Sequence, residues 1–137
     1  MNLQMIATLK ELGKGMKVLF VEDNDNVRAG TYNILNTFFE DITTAVNGLD
    51  GLEIYQYQPN YDLIITDVTM AKMSGLDMIR EMRKINPGQK AIVISAHTER
   101  EKLEDAKGLG VSSYIVKPII LKELVPTLID VCKDIRD

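Results

Sequence analysis

"DLIITDVTMAKMSG", residues 62–75, decides the fold. Leu63, Ile64 and Ile65 are apolar in succession, without the alternation of a strand that has one wet face. Such a run is expected of a strand covered on both sides. The strand then ends at a carboxylate, Asp67, which faces whatever lies beyond the edge of the sheet. Outward from it, four more short apolar runs read as strands: "KVLFV" (17–21), "DITTAV" (41–46), "AIVIS" (91–95) and "VSSYIV" (111–116), with "DLIIT" (62–66) in the middle. Helix-period stretches separate them. Val27, Thr31, Ile34, Leu35 and Phe38 share one face; Leu49, Leu52 and Tyr55 a second; Leu76, Ile79 and Met82 a third; Leu103, Ala106 and Leu109 a fourth; Leu121, Leu124, Leu128, Val131 and Cys132 the last. Turn signals punctuate the series at Gln58-Pro59-Asn60, Asn86-Pro87-Gly88 and Gly108–Gly110.

Alternation of strands and helices requires crossover connections, hence a parallel sheet with helices on both faces. The fold expected is a three-layer, doubly wound α/β domain of five strands and five helices over residues 16–137, without an internal repeat. Pro126 falls inside the last helical stretch, where it removes a backbone bond, so a kink or a late helix start is expected there. Residues 1–15 stand outside the pattern as an N-terminal extension. Leu3, Ile6, Leu9 and Leu12 form a loose helical stripe that Gly13-Lys14-Gly15 breaks. It reads either as a frayed or weakly docked extension or as a signalling or dimerising helix.

The bulk properties narrow the class. A chain of 137 residues suits one domain with a real core, and its 45% hydrophobic and 26% charged content is that of an ordinary globular protein. A net charge of −4, with no block of like charges, argues against non-specific binding to nucleic acid or anionic membranes. Cys132 is the only cysteine and His97 the only histidine, so neither an internal disulfide nor a His-rich metal site is available. No apolar run approaches a membrane span, and "MNLQMIATLKELGKG" lacks the basic leader and apolar core of a secretory signal. The expected location is the cytoplasm.

In open parallel sheets, ligands bind beyond the carboxyl ends of the strands. Strand one ends in Glu22-Asp23, strand three in Asp67, strand four in Ser95-Ala96 and strand five in Lys117-Pro118; strand two ends in Val46-Asn47, without a charge. Each alone is explained by helix capping, a turn or a solvated side chain. All at one edge of one sheet are harder to explain that way. If strands one and three are neighbours, three carboxylates converge, and at least one has a raised pKa unless a cation relieves the repulsion. Oxygen ligands without His or Cys favour Mg²⁺ over zinc. Lys117 supplies a point charge for a phosphate, and Ser95 one hydrogen bond. Asp67 is then a candidate nucleophile, because a carboxylate can accept a phosphoryl group.

These residues resemble the receiver domains of two-component response regulators, over about residues 16–135. "VLFVEDN" is similar to the family's acidic pair, "LIITDVTMAKMSG" to its phosphoacceptor strand and loop, "VISAH" to its Ser/Thr-Ala switch motif and "YIVKPI" to its Lys-Pro motif with a preceding aromatic. The resemblance implies the flavodoxin-like strand order 2-1-3-4-5. It implies phosphorylation of Asp67 by a histidine kinase or phosphotransfer protein. Mg²⁺ would be held by Asp23, Asp67, the Thr69 backbone carbonyl and Glu22, the last acting through a water. Ser95 and Lys117 would bind the phosphoryl group, with Tyr114 as a switch aromatic (or simply a half-buried strand tyrosine). Ala96, His97 and a cis Pro118 are supporting residues, and Thr69 and His97 flank the path of an attacking water. The signal would pass to the face made by the fourth helix, fifth strand and fifth helix of the doubly wound unit. It would then reach a downstream protein or fused output domain, with a phosphorylation-dependent homodimer as an option.

Two loop positions depart from the family pattern: Ala71 where proline is common and Ser74 where Asp is common, Ser74 remaining a competent N-cap. A phosphatase-like enzyme is the rival class, but it usually carries an Asp two residues after its nucleophile, where this chain has Thr69. A nucleotide-binding module is disfavoured because "EDNDNVRAG" has a single glycine. A phosphorylation-independent adaptor is the third reading, and the intact carboxylate cluster argues against it.

Overall fold

The computed structural model describes residues 2–96 and 100–137; His97 lies outside the described residues. Its elements are α1 (Leu3–Gly13), β1 (Lys17–Val21), α2 (Asp25–Leu35), β2 (Asp41–Ala45), α3 (Gly48–Tyr57), β3 (Leu63–Asp67), α4 (Gly75–Ile85), β4 (Ala91–Ala96), α5 (Arg100–Leu109), β5 (Ser113–Lys117) and α6 (Leu121–Arg136). The strands form one parallel sheet in the order β2-β1-β3-β4-β5. This is the doubly wound arrangement expected from the alternating pattern, in the flavodoxin-like order that the family resemblance implies.

Alternate residues of a strand point to opposite faces, and the two cores follow that rule. Val18, Phe20, Leu63, Ile65, Ile92, Ile94 and Ile115 pack with α1, α2 and α6. Leu19, Val21, Ile64, Ala91 and Val93 pack with α3, α4 and α5. The unbroken apolar runs are thus two interleaved core sets. Strand ends shift slightly from expectation: β3 runs through Asp67, and β5 begins at Ser113 rather than 111 and ends on Lys117.

Side-chain caps explain where several helices begin. Asn2, Asn24, Asn47 and Ser74 each accept a hydrogen bond from the backbone N–H three residues on. The expected late start at Pro126 does not occur, since α6 begins at Leu121 and continues past the proline. The i→i−4 ladder loses the one bond Pro126 cannot donate, and burial of Leu124, Val125, Leu128 and Ile129 against the sheet holds the helix around it. Val27, Leu49 and Leu121, read as members of buried faces, are each more than a third exposed.

The stripe in residues 3–12 forms a sixth helix, and it is docked. Leu9 is fully buried among Phe38, Phe39 and the α6 side chains. Gly13 approaches so closely that a β-carbon there would lie 2.2 Å from the Phe38 carbonyl oxygen. The Arg136 guanidinium at the end of α6 donates to the carbonyls of Leu12 and Lys14 and so closes the C-terminus of α1. Leu9→Ala should therefore lower the unfolding free energy by roughly 2–5 kcal/mol, while Leu3→Ala, at an exposed site, should change it by less than about 0.5 kcal/mol. Equal midpoints for the two variants in urea denaturation would show that α1 contributes nothing to the core.

Candidate functional site

Strand parity gathers the site. Val21 pairs with Thr66, so Glu22 and Asp67, one residue further along each strand, stand side by side on the α2/α6 face. Lys117 has the same parity two strands away. Between them runs β4, whose residue level with Lys117 is Ala96, and a methyl there leaves the lysine's path to Asp67 open. Lys117 Nζ lies 3.2 Å from Asp67 Oδ2 and 3.6 Å from Glu22 Oε1. Carboxylate oxygens of Glu22, Asp23 and Asp67 all lie within 4.8 Å of one another.

The loops around the cluster are fixed by their own bonds. Glu22 Oε2 accepts from the Asn24 N–H at 3.0 Å, and Arg28 donates to the Glu22 carbonyl at 2.9 Å. Asp23 Oδ2 accepts from Ala71 N–H at 3.1 Å, tying the loop after β1 to the loop after β3. Asp67 Oδ1 accepts from Val68 N–H at 3.0 Å. The loop then bends back sharply enough that Gly75 N–H donates to the Val68 carbonyl at 2.8 Å, and a β-carbon on Gly75 would lie 2.0 Å from the Asp67 carbonyl oxygen. Only glycine fits that approach. Lys72, at φ +69°, takes the left-handed conformation at the loop's tip.

Burial separates the three acids: Glu22 and Asp67 are buried and Asp23 is exposed. Burial raises the Glu22 pKa, and the charge of Asp67 adds to the rise; the Asn24 N–H and the Lys117 ammonium oppose it. Burial disfavours the Lys117 ammonium, but Asp67 and Glu22 outweigh it and the pKa is raised, so Lys117 is a cation throughout the neutral range. The donor set of hard carboxylate oxygens suits Mg²⁺.

Ser95 is fully buried, and its hydroxyl has no hydrogen-bond partner among the described residues. A buried hydroxyl at a strand end without a partner is costly, and an incoming acceptor would satisfy it. The Lys117–Pro118 bond is cis. Tyr114 is on the other face of β5 from Lys117 and is 37% exposed, with Lys107 Nζ 5.7 Å from its ring centre. It is therefore outside the carboxylate cluster. Thr69 is exposed, and its hydroxyl accepts from Lys102 on α5. Sequence reasoning overlooked Lys102, because a lysine in the first turn of an amphipathic helix carries no signal of its own.

A doubly wound parallel sheet with three carboxylates and a lysine converging at its carboxyl edge defines a class: flavodoxin-like domains with an anionic, cation-seeking site at the strand ends. The model of the response regulator receiver domain matches residues 18–129, and this chain belongs to that family. It is 34% identical over 134 residues to the chemotaxis protein CheY of Treponema pallidum, covering 96% of this chain and 93% of that protein. Among solved structures, a response regulator receiver domain protein from Clostridium thermocellum superimposes with a TM-score of 0.78 at 26% identity, over 88% of this chain and 97% of that one. The CheX–CheY–BeF3–Mg complex from Borrelia burgdorferi matches with a TM-score of 0.73 at 27% identity, over 85% of this chain and 88% of that one. The domain is thus a CheY-like receiver with an acidic pocket.

Asp67→Asn should lower the Glu22 pKa, because it removes a neighbouring negative charge and leaves Lys117 to Glu22 alone. Carboxyl ¹³C NMR titration of both proteins, without divalent cations, reads this directly. A Glu22 pKa that stays put would assign the rise to burial and the Asp23 side chain, with no part for Asp67.

Proposed function

We propose that this receiver takes a phosphoryl group onto Asp67 from a histidine kinase or phosphotransfer protein, in a Mg²⁺-dependent reaction, and signals by a change of shape. The reading is carried by one observation: Lys117 Nζ stands 3.2 Å from Asp67 Oδ2 within the carboxylate cluster. In the transfer, an Asp67 oxygen forms the new bond to phosphorus as the donor's P–N bond breaks. The imidazole leaves with the electron pair; with a small acyl phosphate, a P–O bond breaks and the carboxylate leaves. Mg²⁺ held by Asp23, Asp67, the Thr69 carbonyl and, through water, Glu22 would neutralise charge on the phosphoryl oxygens. Lys117 pairs with one of those oxygens, and the Ser95 hydroxyl donates to another.

That last bond supplies the switch. Ser95 has no hydrogen-bond partner among the described residues, so a phosphoryl group that accepts from it would draw the end of β4 towards Asp67, with Tyr114 responding on β5. The α5–β5–α6 face is the proposed output surface, facing a downstream protein, an output domain or a second copy. Residues 16–137 are the receiver and 1–15 an extension of it, working in the cytoplasm. The chain catalyses only its own phosphorylation and dephosphorylation.

Acetyl phosphate with Mg²⁺ should add one phosphoryl group by intact mass, and none to Asp67→Asn; equal labelling of the variant would remove Asp67 as the acceptor. Asp23→Asn should weaken Mg²⁺ binding in NMR titrations more than Glu22→Gln, since Asp23 is the exposed acid of the cluster and the proposed direct ligand. The reverse order would move the direct metal contact to Glu22.

A further inference from the structure

The chain brings a second lysine to the mouth of the site. Lys102 stands in the first turn of α5, half-buried, and its Nζ donates to Thr69 Oγ1. Thr69 is two residues beyond Asp67, on the loop that Asp23 also holds through Ala71. Lys117 approaches Asp67 from β5, and Lys102 approaches the adjoining loop from α5. The two ammonium groups thus come from different elements. We infer that Lys102 is a second phosphoryl-sensing cation, which couples α5 to the state of Asp67 independently of Ser95; this rests on the function proposed above.

Charge bookkeeping motivates the inference. An aspartyl phosphate carries about two negative charges at neutral pH. Glu22 and Asp23 add two more. Mg²⁺ and Lys117 together supply three positive charges, which leaves one negative charge uncompensated at the edge of a partly buried site. Lys102 is placed to meet part of that charge, because its ammonium already reaches Thr69, two residues beyond Asp67, and offers three donors on a four-carbon stem. One donor keeps the Thr69 hydroxyl while another turns to a phosphoryl oxygen. The first turn of α5 is then held by the phosphoryl group through a direct bond. Ser95 stands on β4 and acts through its own bond to the phosphoryl group.

Beryllofluoride with Mg²⁺ is the probe, because on a carboxylate it carries the charge of an aspartyl phosphate. In low salt, Lys102→Met should weaken its binding roughly three- to tenfold, as expected for a charge-assisted bond at a partly exposed site. Lys102→Arg should restore the affinity. Amide shifts in the first turn of α5 on binding should shrink in Lys102→Met, whereas those along β5 near Lys117 persist. Added salt should narrow the gap between parent and Lys102→Met. If Lys102→Met binds as tightly as the parent and shifts the same α5 amides, Lys102 is only a tether for Thr69 and the inference is overturned. If the parent and Asp67→Asn respond alike to beryllofluoride, Asp67 is not the acceptor, and this inference goes with the function on which it rests.

Discussion

The site depends on one long reach. Lys117 extends from the end of β5, across the β4 level marked by Ala96, to oxygens of both Asp67 and Glu22. Without that ammonium, two buried carboxylates and a third at their side would face one another at close range in a medium that screens poorly. The cation opposes the rise of the Glu22 pKa, and its own raised pKa is the reciprocal of its pairing with Asp67 and Glu22. The Glu22 pKa stays raised all the same, chiefly because the carboxyl is buried.

The reach works because the fold aligns parity across four strands. Glu22, Asp67, Ala96 and Lys117 fall on the same face, each at or just past the end of its strand. A register slip of one residue in β3 would turn Asp67 into the α3/α4 layer and Thr66 into its place. The apolar runs that fill the two cores therefore also aim the charged residues that follow them. Packing and chemistry share a single constraint.

This shared constraint is why so much was legible in the chain. Apolar runs such as Leu63–Ile65 mark strands, and the residues ending them mark the binding edge, so the sheet and the positions of Asp67, Ser95 and Lys117 could be read without coordinates. Features set by distant partners could not. Whether the stripe of Leu3, Ile6, Leu9 and Leu12 docks is decided by the Phe38 carbonyl against Gly13 and by Arg136 near the other end of the chain. Lys102 against Thr69 is likewise a meeting of a helix turn and a loop that have no sequence relation. The persistence of α6 through Pro126 follows from how deeply its face is buried, which local propensity does not reveal.

The clasp between Arg136 and the end of α1 has a consequence for how the chain is made. Its hydrogen bond to Leu12 links residues 124 apart. Contacts of such separation close late, after the loop entropy between them has been spent. On a ribosome, α1 emerges well before α6 and waits for it. Until α6 arrives, Leu9, Met16, Phe38 and Phe39 have no lid on their side of the sheet. An element made ahead of the whole sheet is thus among the last to find its place, and a nascent chain stalled before α6 would present that apolar face to chaperones.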